Sequence, residues 1–305
     1  MPGDPDQVIY VWFDALGNYI TALGYGDDNP RLSTFWRGAD AREHVIGKGI
    51  TRFHALYWPA MLLSVGLPLP TRIFVHGYVT VDGRKIGKSA GNAIDPVPLA
   101  EALGADALRY YLLRHVRSTE DGDFSQARFR QAYRSELAGQ LGNLAHRICS
   151  MIERYCGGVI PRASIETDAS AALAAAGAGL SQAVADDIQR FDFQKALTRI
   201  WSFIGATNKV VADSAPWSLA KAASRETDAR AQLDACLHAL ARALALIGSC
   251  LAPLLPSTSE RLLERLGLDT ATVDVDPGGR RIANGAVLFP AERISELPGG
   301  TGQDA

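Results

Sequence analysis

The chain has 305 residues, 47% of them apolar, with 31 lysines and arginines against 33 acidic residues and a formal net charge of −2. That length suits about two domains with substantial cores, and the charge balance excludes a globally basic nucleic-acid binder, so any RNA-facing surface must be a local patch. The four cysteines, Cys149, Cys156, Cys236 and Cys250, form no C-x-x-C pair. No secretory leader, run of 18 apolar residues or lipidation signature is found, so reduced thiols, no membrane and a cytoplasmic place are expected.

Val8-Ile-Tyr-Val-Trp12-Phe13 is a run of β-branched and aromatic residues and predicts a short buried strand of a parallel sheet, ended by Asp14. A helix is expected from Ala15 through Tyr19, at the carboxyl end of that strand, where open α/β sheets build ligand sites. Residues 26 to 42 read as a polar loop, His44 to Lys48 as a second strand, and Ile50 to about Leu63 as a helix. Phe53, His54, Tyr57 and Trp58 crowd that helix too densely for one stripe, so it should be buried on more than one face. A lone His54 in such surroundings is usually a satisfied core histidine.

Arg72 to Val75 predicts a short buried strand, and Asp82-Gly83 a two-residue hairpin turn. Two lysines, Lys85 and Lys88, follow three residues apart among Gly87, Ser89 and Gly91. Ammonium groups, a hydroxyl and free amides on glycine-rich backbone can converge on a polyphosphate, although a bare K-x-x-K loop is more often a solvated basic loop.

Asp95-Pro96 opens a helix, and Ala105 to Arg114 forms a second. Asp121 to Ser125 reads as a turn with Ser125 as N-cap. From there to about residue 266 the pattern is helical. Leu137, Leu141, Leu144, Ile148 and Ile152 make a core-facing stripe, while Asn143 and Arg147 share another face one turn apart. Five arginines against two glutamates between residues 128 and 154 give this segment a local positive charge. Residues 157 to 177 read as a mobile link and 178 to 213 as one helix closing at Ala215-Pro216-Trp217. Two further helices, 229 to 250 and 256 to 266, complete a bundle. Val273, Val275 and Val287 to Pro290 suggest a small hairpin or arm, with nothing ordered past residue 295.

The order His76-Gly77-Tyr78, hairpin, Lys85-x-x-Lys88-Ser89, Gly91-Asn92 resembles the KMSKS region of class I aminoacyl-tRNA synthetases, closest to the methionyl branch. That resemblance implies catalytic roles for Lys85, Lys88 and Ser89 and ATP binding, as the magnesium complex, by Lys85, Lys88, His76 and Gly77. VWFDALGNYITALGY is similar to the family's stretch whose tryptophan, alanine and tyrosine form the methionine pocket, which here fall on Trp12, Ala15 and Tyr19. In HVIGKGITRFHALYWPAMLLSVGLPLP the pocket's Phe-His pair falls on Phe53 and His54. Gly142 to Arg147 and Asn208 to Trp217 resemble the anticodon elements, which implies that Asn143, Arg147 and Trp217 contact the anticodon of tRNA(Met).

The chain departs from the family in writing KIGKS, with Ile86 for methionine and Gly87 for serine, and in placing Gly49 where the family has aspartate. Ile for Met keeps an apolar anchor of similar volume. Loss of the aspartate removes a hydrogen-bond acceptor, and no neighbour in sequence replaces it. No HIGH-like tetrapeptide precedes Val8, and neither the zinc-binding insertion nor any other metal site is found.

The resemblance spans about residues 7 to 294 and implies an α/β plus all-α chain, a partial Rossmann-like parallel sheet followed by a helical-bundle anticodon-binding domain. Its expected parts are residues 1–94 from the catalytic domain, 95–124 as connecting helices, 125–267 as the anticodon-binding domain and 268–305 as an arm and tail. Two readings from different classes stay open. One is a methionine–tRNA ligase half, with methionine, ATP and tRNA(Met) as partners and an N-terminal half of a split synthetase as complement. The other is a non-catalytic, repurposed tRNA-binding homologue.

Overall fold

The computed structural model describes residues 3–8, 10–27, 29–81, 83–86, 93–223, 225–269, 276–283 and 285–297. Within them the chain is mostly helical, with one two-stranded and one three-stranded sheet, and divides into two units. The first comprises Met1–Tyr78 and Thr119–Asp121, the second Val79–Ser118 and Gly122–Ala305.

In the first unit the strand expected at Val8–Phe13 is not found among the described residues; from Val11 the chain is helical instead, α1 spanning Val11–Thr21 with Asp14 inside its first turn. Val8 and Phe13 are 86% and 68% exposed, so the segment is not buried either. A strand needs a neighbour for its amides and carbonyls, and the unit's two strands pair only with each other among the described residues, whereas a helix satisfies these groups internally. Leu16 and Ile20, four residues apart, turn inward.

The expected loop at 26 to 42 contains α2, Pro30–Leu32, capped by Asn29 through a 3.0 Å bond from the Arg31 amide, and a π-helical turn over Ser33–Arg37. That turn buries Trp36, whose indole N–H donates to the Pro68 carbonyl at 3.0 Å. β1, Glu43–Gly47, is followed by a 3₁₀ turn at Lys48–Ile50, a π-helical turn at Phe53–Tyr57 and α3, Trp58–Ser64. β2, Arg72–His76, pairs parallel with β1 in the register Glu43↔Arg72 to Gly47↔His76. Its central residues are half-buried rather than buried as expected, because the sheet has only two strands. Leu16, Ile20, Leu32, Trp36, Trp58, Leu62 and Leu67 form this unit's core.

The second unit opens with β3, Val79–Val81, and β4, Arg84–Lys85, paired antiparallel with Val81 opposite Arg84. The pairing leaves the two-residue turn expected at Asp82-Gly83; Asp82 lies outside the described residues, and Gly83 has φ +70°, which a residue without Cβ adopts freely. α4, Pro96–Leu103, is capped by Asp95, whose carboxylate accepts the Val97 amide at 2.9 Å, and α5 spans Ala105–His115. Where a turn was expected, β5, Gly122–Phe124, lies parallel to β3. Asp123 explains the difference: its carboxylate accepts the Gly83 amide and the Thr80 hydroxyl, both at 2.8 Å, so a residue that reads as a turn former ties a strand to the hairpin.

Ser125 caps α6, Gln126–Ala132, which continues through a π-helical stretch, Tyr133–Gly142, into α7, Asn143–Cys156. The predicted stripe from Leu137 to Ile152 is buried throughout. The segment read as a mobile link holds α8, Asp168–Gly177, started by a capping box between Thr167 and Ser170 and anchored by buried Leu173. The segment is rich in alanine, the strongest helix former.

The single helix expected over 178 to 213 is two, α9, Leu180–Gln189, and α10, Phe193–Ser214, broken at Phe191, whose φ is +60°. α11, Pro216–Ala222, α12, Thr227–Leu251, and α13, Pro256–Arg265, complete the bundle. α12 is long and apolar enough by composition to cross a membrane, but 78% of its apolar window is buried by the other helices. Buried Asp106 on α5 accepts the Thr258 amide in the first turn of α13 at 2.6 Å.

No hairpin is found among the described residues of the tail, and Val273 and Val275 lie outside them. Instead residues 276–283 and 285–297 form an arm gripped through its backbone. Arg281 bridges to Val159, Arg261 donates to the Val287 and Leu288 carbonyls at 2.9 Å, Arg265 to that of Gly285 at 2.7 Å, and Tyr133 to that of Pro290 at 3.1 Å. A 3₁₀ helix, Ala291–Glu296, follows, and Leu297 is buried, so order extends past residue 295.

Candidate functional site

One face of α1 carries Trp12, Ala15 and Tyr19, at the i, i+3, i+7 spacing that aligns side chains. Trp12 stacks on Phe53 with ring centroids 4.6 Å apart and planes 10° off parallel, and meets His54 edge-on at 6.4 Å. Tyr19 lies 5.7 Å from His54 and 4.6 Å from His44. Ala15 is exposed and makes none of these ring contacts. Four of the five residues expected to line an amino-acid pocket therefore form one aromatic cluster. The π-helical turn at Phe53–Tyr57 is the local reason that Phe53 and His54 both reach it.

The hydrogen bonds assign the imidazole protons. A carbonyl only accepts, so His54 Nδ1–H donates to the Ile50 carbonyl at 3.0 Å, leaving Nε2 to accept the Tyr19 hydroxyl at 2.9 Å. Trp58 Nε1–H donates to His44 Nε2 at 3.1 Å, which holds that ring neutral as well. Burial, and then neighbouring His54, push the His44 pKa below the ordinary value of 6.5. An aromatic cluster with neutral imidazoles suits an uncharged, polarizable side chain such as a thioether better than a charged one.

The carboxyl ends of β1 and β2 form a second feature of the same unit. A Cβ on Gly47 would rest 3.5 Å from the His76 ring, and one on Gly49 would collide with the Tyr78 hydroxyl. Tyr78 is placed by Asp121, whose carboxylate accepts its backbone amide at 2.8 Å and the Lys48 ammonium at 2.6 Å; that ammonium lies 4.7 Å from the Tyr78 ring centroid. His76 Nδ1–H donates to the Gly77 carbonyl at 2.8 Å, leaving Nε2 as an acceptor. Gly77 is buried, and any Cβ there would strike the Glu120 carbonyl, so glycine is required by packing.

Lys85 sits in β4, opposite Thr80, while Lys88 and Ser89 lie outside the described residues, so the expected phosphate-gripping loop is placed only by the hairpin that leads into it. In the bundle, Asn143 is exposed at the start of α7, Arg147 is half-buried one turn on, and Trp217 at the start of α11 is 41% exposed. α7 and α11 touch, and none of the three side chains has a polar partner among the described residues.

The family model for tRNA synthetases class I (M) matches residues 1–149. The chain is 39% identical to the methionine–tRNA ligase of Caldanaerobacter subterraneus subsp. tengcongensis over 298 residues, 95% of this chain and 46% of that protein. To that of Thermotoga maritima it is 39% identical over 294 residues, 96% of this chain and 45% of that one. Mycobacterium tuberculosis methionyl-tRNA synthetase, solved bound by methionyl-adenylate, superposes with a TM-score of 0.85 at 37% identity, covering 95% of this chain and 57% of that one. The chain belongs to the methionyl-tRNA synthetase family. It spans about half the length of the curated relatives it matches.

Methionyl-tRNA synthetases thus supply the frame, and the structure adds residues that sequence reasoning missed. His44 and Trp58 close the back of the aromatic cluster, and Tyr78, Lys48 and Asp121 form a clamp at the strand ends. His44 was read only as part of a strand, and Asp121 as part of a turn; neither carried a local signal. Among the described residues no three His, Cys, Asp or Glu side chains are grouped as metal ligands would be.

Proposed function

We propose that this chain carries the methionine-recognising and tRNA-reading parts of a methionine–tRNA ligase. The observation behind this is the Trp12–Phe53–His54–Tyr19 cluster with its neutral imidazoles, which offers stacking walls and one hydroxyl-imidazole pair to a thioether side chain. Trp12, Ala15, Tyr19, Phe53 and His54 are assigned to the amino acid. Lys85, Lys88, Ser89, His76 and Gly77 are assigned to ATP, bound as its magnesium complex, and Asn143, Arg147 and Trp217 to the anticodon of tRNA(Met). In this reading residues 1–94 belong to a Rossmann-like catalytic domain, 95–124 connect, 125–267 read the anticodon and 268–305 form the arm and tail, all in the cytoplasm.

No HIGH-like element is found in these 305 residues. Adenylate formation needs donors on both sides of the polyphosphate, so activation draws that element from a partner segment or chain carrying the N-terminal half. Methionine-dependent pyrophosphate exchange, measured on this chain alone and with that half added, tests the proposal. Exchange is expected only in the mixture and should disappear with Lys88→Ala. Exchange by the chain alone, above the Lys88→Ala control, would refute the partner requirement.

The second reading, a tRNA-binding homologue without catalysis, is favoured by one observation: residue 49 is glycine and offers no carboxylate acceptor. A mixture that binds tRNA(Met) and never exchanges pyrophosphate would select it.

A further inference from the structure

We propose that Tyr78 is a specificity-determining residue of the methionine-activating site, its hydroxyl giving the polar end of an aminoacyl adenylate the contact that residue 49 has no side chain to make. The inference rests on the ligase reading above and deepens it.

Three observations carry it. The Tyr78 hydroxyl occupies the space into which any side chain at Gly49 would project. The ring is held there from two directions: Asp121 binds the Tyr78 amide at 2.8 Å, and Lys48, tied to the same carboxylate at 2.6 Å, lies 4.7 Å from the ring centroid. His76 stands beside Gly47 in the same way, 3.5 Å from a Cβ there, with Nε2 left as an acceptor. Two glycines at the carboxyl end of β1 are therefore each faced by a polar ring from the end of β2, at the place where parallel sheets bind ligands.

The chemistry of the two rings selects the ligand part. A phenol and an imidazole both exchange hydrogen bonds with hydroxyl groups, whereas an amino acid's ammonium would call for a carboxylate. Methionine alone offers an ammonium and a carboxylate; its adenylate adds a sugar bearing hydroxyls. Tyr78 therefore discriminates between free amino acid and adenylate.

Trp12 fluorescence, titrated with methionine and with the non-hydrolysable sulfamoyl analogue of methionyl adenylate, tests this on the whole chain. Tyr78→Phe is expected to weaken the analogue about tenfold and leave methionine unchanged, the usual worth of one hydrogen bond. Gly49→Ala, which forces the hydroxyl aside, should produce the same selective loss, and the double variant no more than either alone. Asp121→Asn, with native circular dichroism, should give a smaller loss of the same kind. Unchanged analogue affinity in Tyr78→Phe, with methionine still binding, would overturn the proposal and leave the ligase reading standing. A wild-type chain that responds to neither ligand would overturn that reading and the proposal with it.

Discussion

The Tyr19 hydroxyl donates to His54 Nε2 at 2.9 Å while His54 Nδ1–H donates to the Ile50 carbonyl at 3.0 Å, so one buried imidazole is fixed as a single neutral tautomer. That chain joins α1 to the helix after β1 through a ring that is 1% exposed. The geometry of the aromatic cluster depends on it.

His54→Leu keeps volume and removes both bonds, stranding the Tyr19 hydroxyl and the Ile50 carbonyl. Loss of methionine-dependent Trp12 quenching is expected, with destabilisation of about 1–3 kcal/mol in urea unfolding. Retained quenching would mean that the tautomer chain is not what shapes the cluster.

His44 sets a pH dependence. Its folded pKa lies below 6.5, so as pH falls through about 6.5 the unfolded chain takes up a proton that the folded chain refuses. Stability contributed by the neutral ring is complete above 6.5, declines below it, and levels off once pH passes the folded pKa. The urea midpoint should be lower at about pH 5.5 than at about pH 7.5, and His44→Gln should reduce that difference. Equal pH dependence in the variant would rule out His44 as the source.

Trp217→Ala should weaken a CAU anticodon stem-loop by roughly 1–3 kcal/mol, the usual worth of a stacked base, whereas Arg130→Ala should weaken all tRNAs alike. Equal affinity for CAU and scrambled stem-loops at about 150 mM salt would remove the anticodon assignment.

Asp106→Ala should cost about 1–3 kcal/mol, because the buried Thr258 amide loses its acceptor at the start of α13. Asp106→Asn keeps an acceptor oxygen and should recover most of the loss in thermal unfolding. Identical melting of the two variants would show that the carboxylate contributes by charge or packing instead.

The stripe from Leu137 to Ile152 was legible in the sequence because its signal is local: it repeats at helical spacing and is buried as that spacing requires. The strand expected at Val8–Phe13 failed because residue preference cannot report whether an edge is there to pair with. β5 was missed for the opposite reason, since Asp123 looks like a turn residue until its partners Thr80 and Gly83, some forty positions away, are known. The aromatic cluster was named through family likeness, while His44, Tyr78 and Asp121 emerged only from contacts between distant segments.

The arm has a consequence of another sort. Guanidinium and phenol groups from the bundle hold it by main-chain carbonyls, at Gly285, Val287, Leu288 and Pro290, while Leu288 and Phe289 are buried in the core beside them. Such a fastening measures chain length as well as spelling. Exchanging exposed Val287 for another residue should pass unnoticed in thermal unfolding. Inserting one extra residue between Gly285 and Pro290 would slide every carbonyl out of step with its donor and unbutton the arm as a whole.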